Sequence, residues 1–204
     1  LGLVGSEMCI RDSTYKVAQS TIDIVIEAST DKTTLCNFTN HSYFNLDGTK
    51  NIANHQLMVE CDKVLPVDEN GIPISGPIFA KDLDLDFKTG RTLNNNGNPI
   101  EVDHNFCISN TRQNLRRNAF VTAKNISLEL FSTEPGLQVY TGKGLNSGNE
   151  KIWGKYPYRE FAGIALEPQI WPDAPNQIDF PNPLLQPGDK YKHHTRLKFR
   201  RTKI

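Results

Sequence analysis

The chain has 204 residues, and its 23 Lys and Arg balance 23 Asp and Glu at a formal net charge of zero. That balance argues against a nucleic-acid groove or an anionic membrane surface as the main partner, because both select an excess of cations. With 37% hydrophobic and 23% charged residues the chain can bury a core, and no apolar run approaches the roughly 18 residues of a membrane-spanning helix.

Residues 1–13, LGLVGSEMCIRDS, show no clear periodicity and no basic leader. They read as a non-native extension similar to translated sequencing-adaptor read-through, ahead of a domain spanning residues 14–204. From Thr14 onward apolar residues recur with period two, which places successive side chains on opposite faces of a sheet. Ile22, Ile24 and Ile26 alternate with Asp23, Val25 and Glu27; Leu57, Val59 and Cys61 form a second row, and Ile126, Leu128 and Leu130 a third. Turn formers separate them at Asp68-Glu69-Asn70-Gly71, at residues 94–98, at Pro135-Gly136 and at Pro187-Gly188. No long stretch holds a helical period. The expected fold is all-β, a large antiparallel β-sandwich.

The closing segment, residues 191–200, predicts a strand with Tyr191, Leu197 and Phe199 inward. Lys192, Arg196, Lys198 and Arg200 then form a solvated face that discourages edge pairing, in preference to a nucleic-acid patch. His193 and His194 point to opposite faces and cannot chelate one metal together. Cys9, Cys36, Cys61 and Cys107 lie far apart with no CxxC, so reduced, buried thiols are expected, with no metal knuckle or redox pair.

Four stretches carry groups with chemistry. Read as a strand, residues 35–46 place Cys36, Phe38, Phe44 and Leu46 on one face and Asn37, Thr39, His41, Tyr43 and Asn45 on the other. The polar row suits a cleft for a hydroxylated ligand or bonds to a neighbouring loop. Asp103 begins a strand after a polar loop, as a cap or as a carboxylate aimed at a ligand. Gln138 and Tyr140 share one face of a short strand after Pro135-Gly136. Glu167 falls on the face of Gly163 and Ala165, with space in front of it and an aromatic loop after it. That position fits a general base or a surface glutamate at a strand end.

The blocks TNHSYFNL (39–46), VDHNF (102–106), EPGLQVYTG (134–142), GIALEPQ (163–169) and WPDAPNQ (171–177) together resemble the aldose 1-epimerase (galactose mutarotase) family. LPVDENGIP (65–73) and PGDKYKHHTRLKF (187–199) extend the resemblance over essentially residues 14–204. It implies a β-sandwich enzyme that needs no cofactor or metal, with a small-molecule aldohexose as partner and neither nucleic acid nor membrane. His41 matches the family's general acid and Glu167 its general base; Asp103 and Gln138 match sugar-hydroxyl ligands, with Asn40 and Tyr43 as further sugar contacts. Glu167 would take the proton of the anomeric hydroxyl while His41 protonates the ring oxygen. The family's Asn-Arg pair and its His-Gly-Gly block, which precede the stretch aligned with Thr14, have no counterpart here. The expectation is therefore a C-terminal portion with the N-terminal part missing, impaired in activity, in a cytoplasmic setting. A non-catalytic carbohydrate-binding sandwich is the competing class. A phosphohexose epimerase would need cations that the polar blocks do not supply.

Overall fold

The computed structural model describes residues 9–150 and 157–201. The alternating, β-branched sequence is realised almost wholly as strands, taken here in chain order. The first are β1 (Cys9–Ala18), β2 (Thr21–Thr30), β3 (Thr34–Leu35), β4 (Tyr43–Phe44), β5 (Gln56–Val59) and β6 (Lys63–Val64). Then follow β7 (Ile78–Phe79), β8 (Arg91–Thr92), β9 (Asn94–Asn95), β10 (Asn98–Pro99), β11 (Asp103–Cys107) and β12 (Arg116–Ala123). The last are β13 (Ile126–Ser132), β14 (Gly136–Tyr140), β15 (Ile164–Gln169), β16 (Leu184–Leu185) and β17 (Tyr191–Arg201).

A seven-stranded sheet runs β1-β2-β17-β13-β12-β5-β8 and a six-stranded sheet runs β4-β15-β14-β11-β6-β7, with two short ribbons, β9–β10 and β3–β16. All described pairings are antiparallel. One apolar core joins the sheets. It takes Ile24, Ile26, Leu57, Val121, Leu128, Leu130 and Leu197 from the first and Val64, Phe106, Leu137, Val139, Ile164 and Leu166 from the second. The architecture is thus the antiparallel sandwich that the alternation predicts. Phe106 meets Phe87 edge to face at 6.1 Å inside this core, and both are fully buried. Burial of each such ring contributes about 1.5–3 kcal/mol before entropy is counted.

Three local expectations change. The first strand begins at Cys9 rather than Thr14: residues 9–13 continue β1 and pair with β2, from Cys9 opposite Thr30 to Ser13 opposite Ile26. All ten residues of β1 are exposed, Cys9 included, so only Cys36, Cys61 and Cys107 are the buried thiols expected. The rest of the 1–13 segment, residues 1–8, lies outside the described residues.

The second change concerns β17, which is not an edge. It lies between β2 and β13, and three of its cations are matched by acids on those neighbours: Lys192 with Glu27 at 3.2 Å, Arg196 with Asp23 at 2.8 Å and Arg200 with Glu129 at 3.1 Å. Cross-strand charge pairing, not edge protection, accounts for the basic face.

Third, residues 35–46 do not form one strand. β3 ends at Leu35 and β4 is only Tyr43–Phe44; the stretch between is irregular. Its amide side chains stand in for strand partners. Asn37 bonds both backbone groups of Ile170, donating to the oxygen at 3.1 Å and accepting from the nitrogen at 2.8 Å. Asn45 donates to the oxygens of Thr49 and Ala162, each at 2.9 Å. Alternation cannot register such side-chain to backbone bonds, which compete with ladder pairing.

Candidate active site

The site lies on the outer face of the six-stranded sheet. Because Phe106, Leu137, Val139, Ile164 and Leu166 point into the core, the alternate residues of β11, β14 and β15 must point the other way. Register sorts them into two rows. Asn105, Gln138 and Glu167 are directly opposite one another across the three strands. The next row holds Asp103, Tyr140 and Ala165, continued by Tyr43 on β4. Three adjacent strands span about 10 Å.

Glu167 is 7% exposed on a central strand, whereas the side chain of His41 is 52% exposed on the irregular stretch before β4. The two nevertheless meet, with His41 Nε2 3.4 Å from Glu167 Oε1. Burial raises the pKa of Glu167 above the ordinary glutamate value; the charge of His41 works against that rise and the charge of Asp103 adds to it. A carboxylate of raised proton affinity facing an imidazole can act as an acid–base pair.

Gln138 donates through Nε2 to Asp103 Oδ1 at 2.7 Å, which leaves its own Oε1 buried without a protein partner. Asn105 Oδ1 is likewise buried and unpartnered. Both atoms are closed to solvent, Asn105 Oδ1 against Gly136 and Trp171, whereas Asp103 is exposed and within a ligand's reach. The phenol of Tyr43 closes the end of the row, its ring 5.0 Å from that of His41 and 6.2 Å from that of Tyr140. Burial raises the Tyr43 pKa, with Tyr140, Glu167 and Asp103 adding in the same direction, so it stays a neutral donor and acceptor.

The structure therefore brings His41, Glu167, Asp103, Gln138 and Tyr43 together. Asn40 goes elsewhere: its amide donates to the Tyr15 hydroxyl on β1 at 3.3 Å and its oxygen accepts from the Ser42 nitrogen. The room inferred in front of Glu167 from Gly163 and Ala165 is taken up by Tyr43, which pairs with Ala165 and comes so close that a Cβ on Gly163 would sit 3.1 Å from the Tyr43 Cβ. The aromatic loop after Glu167 also turns inward. Trp171 is buried with Leu65, Cys107 and Phe180, and its indole donates to the Pro135 oxygen at 3.1 Å. Asn105 was not expected in the row, though it stands two residues after Asp103 on one strand face, the same periodic signal.

Among the described residues no three His, Cys, Asp or Glu side chains converge as metal ligands. A depression of about 410 Å³ around Leu35, Ile178 and Phe180 lies among residues with no titratable group.

Fold and site thus bring an exposed imidazole and a buried carboxylate together on the outer face of an antiparallel sheet, beside carboxyl, amide and phenol groups of the neighbouring strands. The aldose 1-epimerase family model matches residues 12–198, and the chain belongs to that family. It is 37% identical over 198 residues to human galactose mutarotase, covering 91% of this chain and 56% of the relative. It is 33% identical over 190 residues to the aldose 1-epimerase of Escherichia coli strain K12, covering 87% and 54%. The chain thus spans about half the length of the curated relatives it matches. Among solved structures, an aldose epimerase homologue from C. elegans superimposes with a TM-score of 0.84 at 25% identity, over 97% of this chain and 66% of that one. The galactose 1-epimerase of Lactobacillus acidophilus shares the fold at a TM-score of 0.77 and 24% identity, over 97% and 63%.

Proposed function

We propose that the site interconverts the α and β anomers of an aldohexose such as galactose or glucose. The observation that carries this reading is the facing pair, His41 and buried Glu167, at 3.4 Å beside the hydroxyl-binding couple Gln138 and Asp103. In the forward step the Glu167 carboxylate takes the proton of the anomeric hydroxyl and protonated His41 gives one to the ring oxygen. The bond between C1 and that oxygen breaks, leaving the open-chain aldehyde. After rotation about the C1–C2 bond the same hydroxyl attacks the other carbonyl face. Its proton returns to His41 while Glu167 gives its proton to the new anomeric oxygen, so both groups end as they began. Glu167 is fixed in β15, so His41 is the partner that swings aside for the ring.

Asp103, Gln138 and Tyr43 hold the sugar's hydroxyls in this reading. Asn40, expected as a further contact, is better assigned to the loop, given its bonds to Tyr15 and Ser42. The cytoplasm as compartment suits the interior free thiols Cys36, Cys61 and Cys107.

The test is polarimetry of fresh α-D-galactose with the purified 204-residue chain. A measurable acceleration over buffer is expected. No acceleration, together with no galactose-induced change in the protein's NMR spectrum, would overturn the proposal.

A further inference from the structure

Three residues before His41 the chain is fastened to the core by side chains of the opposite sheet. His193 on β17 is 1% exposed, and its Nδ1 lies 2.9 Å from the Phe38 oxygen. A carbonyl can only accept, so Nδ1 carries the proton. That leaves Nε2 as acceptor for the hydroxyls of Thr195 at 2.7 Å and Ser132 at 3.4 Å. Two residues earlier on the same face, the Tyr191 hydroxyl accepts from the Phe38 nitrogen at 3.3 Å, and the two rings meet edge to face at 5.6 Å.

The anchors are themselves held. The Arg112 guanidinium lies 4.5 Å from the Tyr191 ring centre and pairs at 2.8 Å with Glu134, which is fully buried. The Glu134 nitrogen donates to Ser132 Oγ at 3.1 Å, the hydroxyl that also meets His193. Burial holds His193 in its neutral form; Glu134 works against this, whereas Arg112 and His194 favour it. The polar circuit therefore closes on itself between Phe38 and the turn that leads into β14 and Gln138.

We propose that His193 and Tyr191 are positioning residues for His41, acting through the main chain of Phe38. The inference rests on the reading of His41 as the acid. Glu167 gets its place from strand pairing, opposite Gln138 on β14, with β4 holding the same strand at Ala165 and Ile164, but His41 sits on a stretch without ladder bonds. The direction of its side chain therefore depends on where Phe38 and β4 fix the backbone on either side. Neither positioning residue reaches the cleft. Their effect falls on the geometry of proton transfer, where a displacement near 1 Å can cost about a hundred-fold.

The test compares His193→Ala, His193→Gln and Tyr191→Phe with the unaltered chain. The His41 ring signals are read in proton–nitrogen NMR spectra at fixed pH, assigned by their loss in His41→Gln, and the anomer exchange rate is read on the same samples. In His193→Ala the His41 signals move and kcat falls about ten-fold to a hundred-fold with KM little changed. His193→Gln, whose amide can donate to the Phe38 oxygen, recovers part of both. Tyr191→Phe keeps the ring against Phe38 and Arg112 and loses only the hydroxyl, so it reports the same direction to a lesser extent even if His193→Ala does not fold. Unmoved His41 signals in a folded variant of either residue overturn the proposal. If the unaltered chain shows neither anomer exchange nor a galactose-induced change in its NMR spectrum, the functional reading fails, and the NMR comparison of the variants still decides the positioning claim.

Discussion

Glu167 and His41 face each other across 3.4 Å, but they are held by two different kinds of structure. Glu167 belongs to β15, paired with β14 from Gln169 to Ala165 and with β4 beyond, and its surroundings fix its proton affinity by burial. His41 belongs to a stretch whose backbone is caught by Asn37, by Tyr191 and His193, and by Asn45. One group is tuned by where the sheet puts it; the other is placed by side chains that touch neither it nor the cleft. A carboxylate that must hold a raised pKa profits from a rigid, buried frame. An imidazole that must reach an entering ring profits from an exposed position on an anchored loop.

That contrast can be broken on either side. The largest effect is expected from His41→Gln, which removes the exposed partner without touching a core contact. Loss of a positioned acid lowers the rate by about 10²- to 10⁴-fold, while thermal unfolding stays close to that of the unaltered chain. A rate loss accompanied by a large fall in Tm would show that the loop, too, is part of the frame.

Gly136→Ala attacks the rigid side. A Cβ there would sit 2.5 Å from Asn105 Oδ1, 2.9 Å from Trp171 Cδ1 and 3.0 Å from the Gln169 oxygen, so either those buried side chains or β14 must shift. Overpacking of this kind costs about 1–3 kcal/mol, to be read in a denaturant titration, with Gln138 displaced from the Glu167 row. Unchanged stability would mean that the sheet yields more easily than the register suggests.

Asp103→Asn sharpens the contrast electrostatically. Glu167 works as a base only when deprotonated, so activity falls as pH drops through its pKa, which burial sets above the ordinary glutamate value. Removing the Asp103 charge takes away the contribution that adds to burial, and the acid limb of kcat moves to lower pH. A limb that moves upward contradicts the account. The raised value also means that the folded chain holds this proton more tightly than the unfolded one. Glu167 therefore stabilises the fold fully below the ordinary glutamate pKa and loses that contribution as pH rises through its folded pKa.

Lys192→Ala is the control on the other sheet. Its pair with Glu27 is exposed on both sides, so stability should change by less than about 1 kcal/mol and anomer exchange not at all.

The periodicity of β2, β13 and β17 was legible because each has one face against a core. The three site strands β11, β14 and β15 were legible for the same reason, which is why Asp103, Gln138 and Glu167 fall on one side as expected. The stretch around His41 was not. Its alternation of Asn, Thr and aromatic residues imitates a strand, yet Asn37 and Asn45 spend their amides on backbone groups, which ends pairing locally. The role of β17 was equally hidden, since a row of cations looks the same on an edge as between two strands that carry acids. Asn40, next to His41 in sequence, is turned to Tyr15 by a contact 25 residues away that no local pattern encodes.

The central claim is that the strand-borne carboxylate is the base. Anomer exchange of galactose and galactose affinity, measured by NMR on one sample of Glu167→Gln, test it directly. The account predicts that exchange falls to the buffer rate while affinity stays within a few-fold of the unaltered chain. Exchange that persists in Glu167→Gln would contradict it.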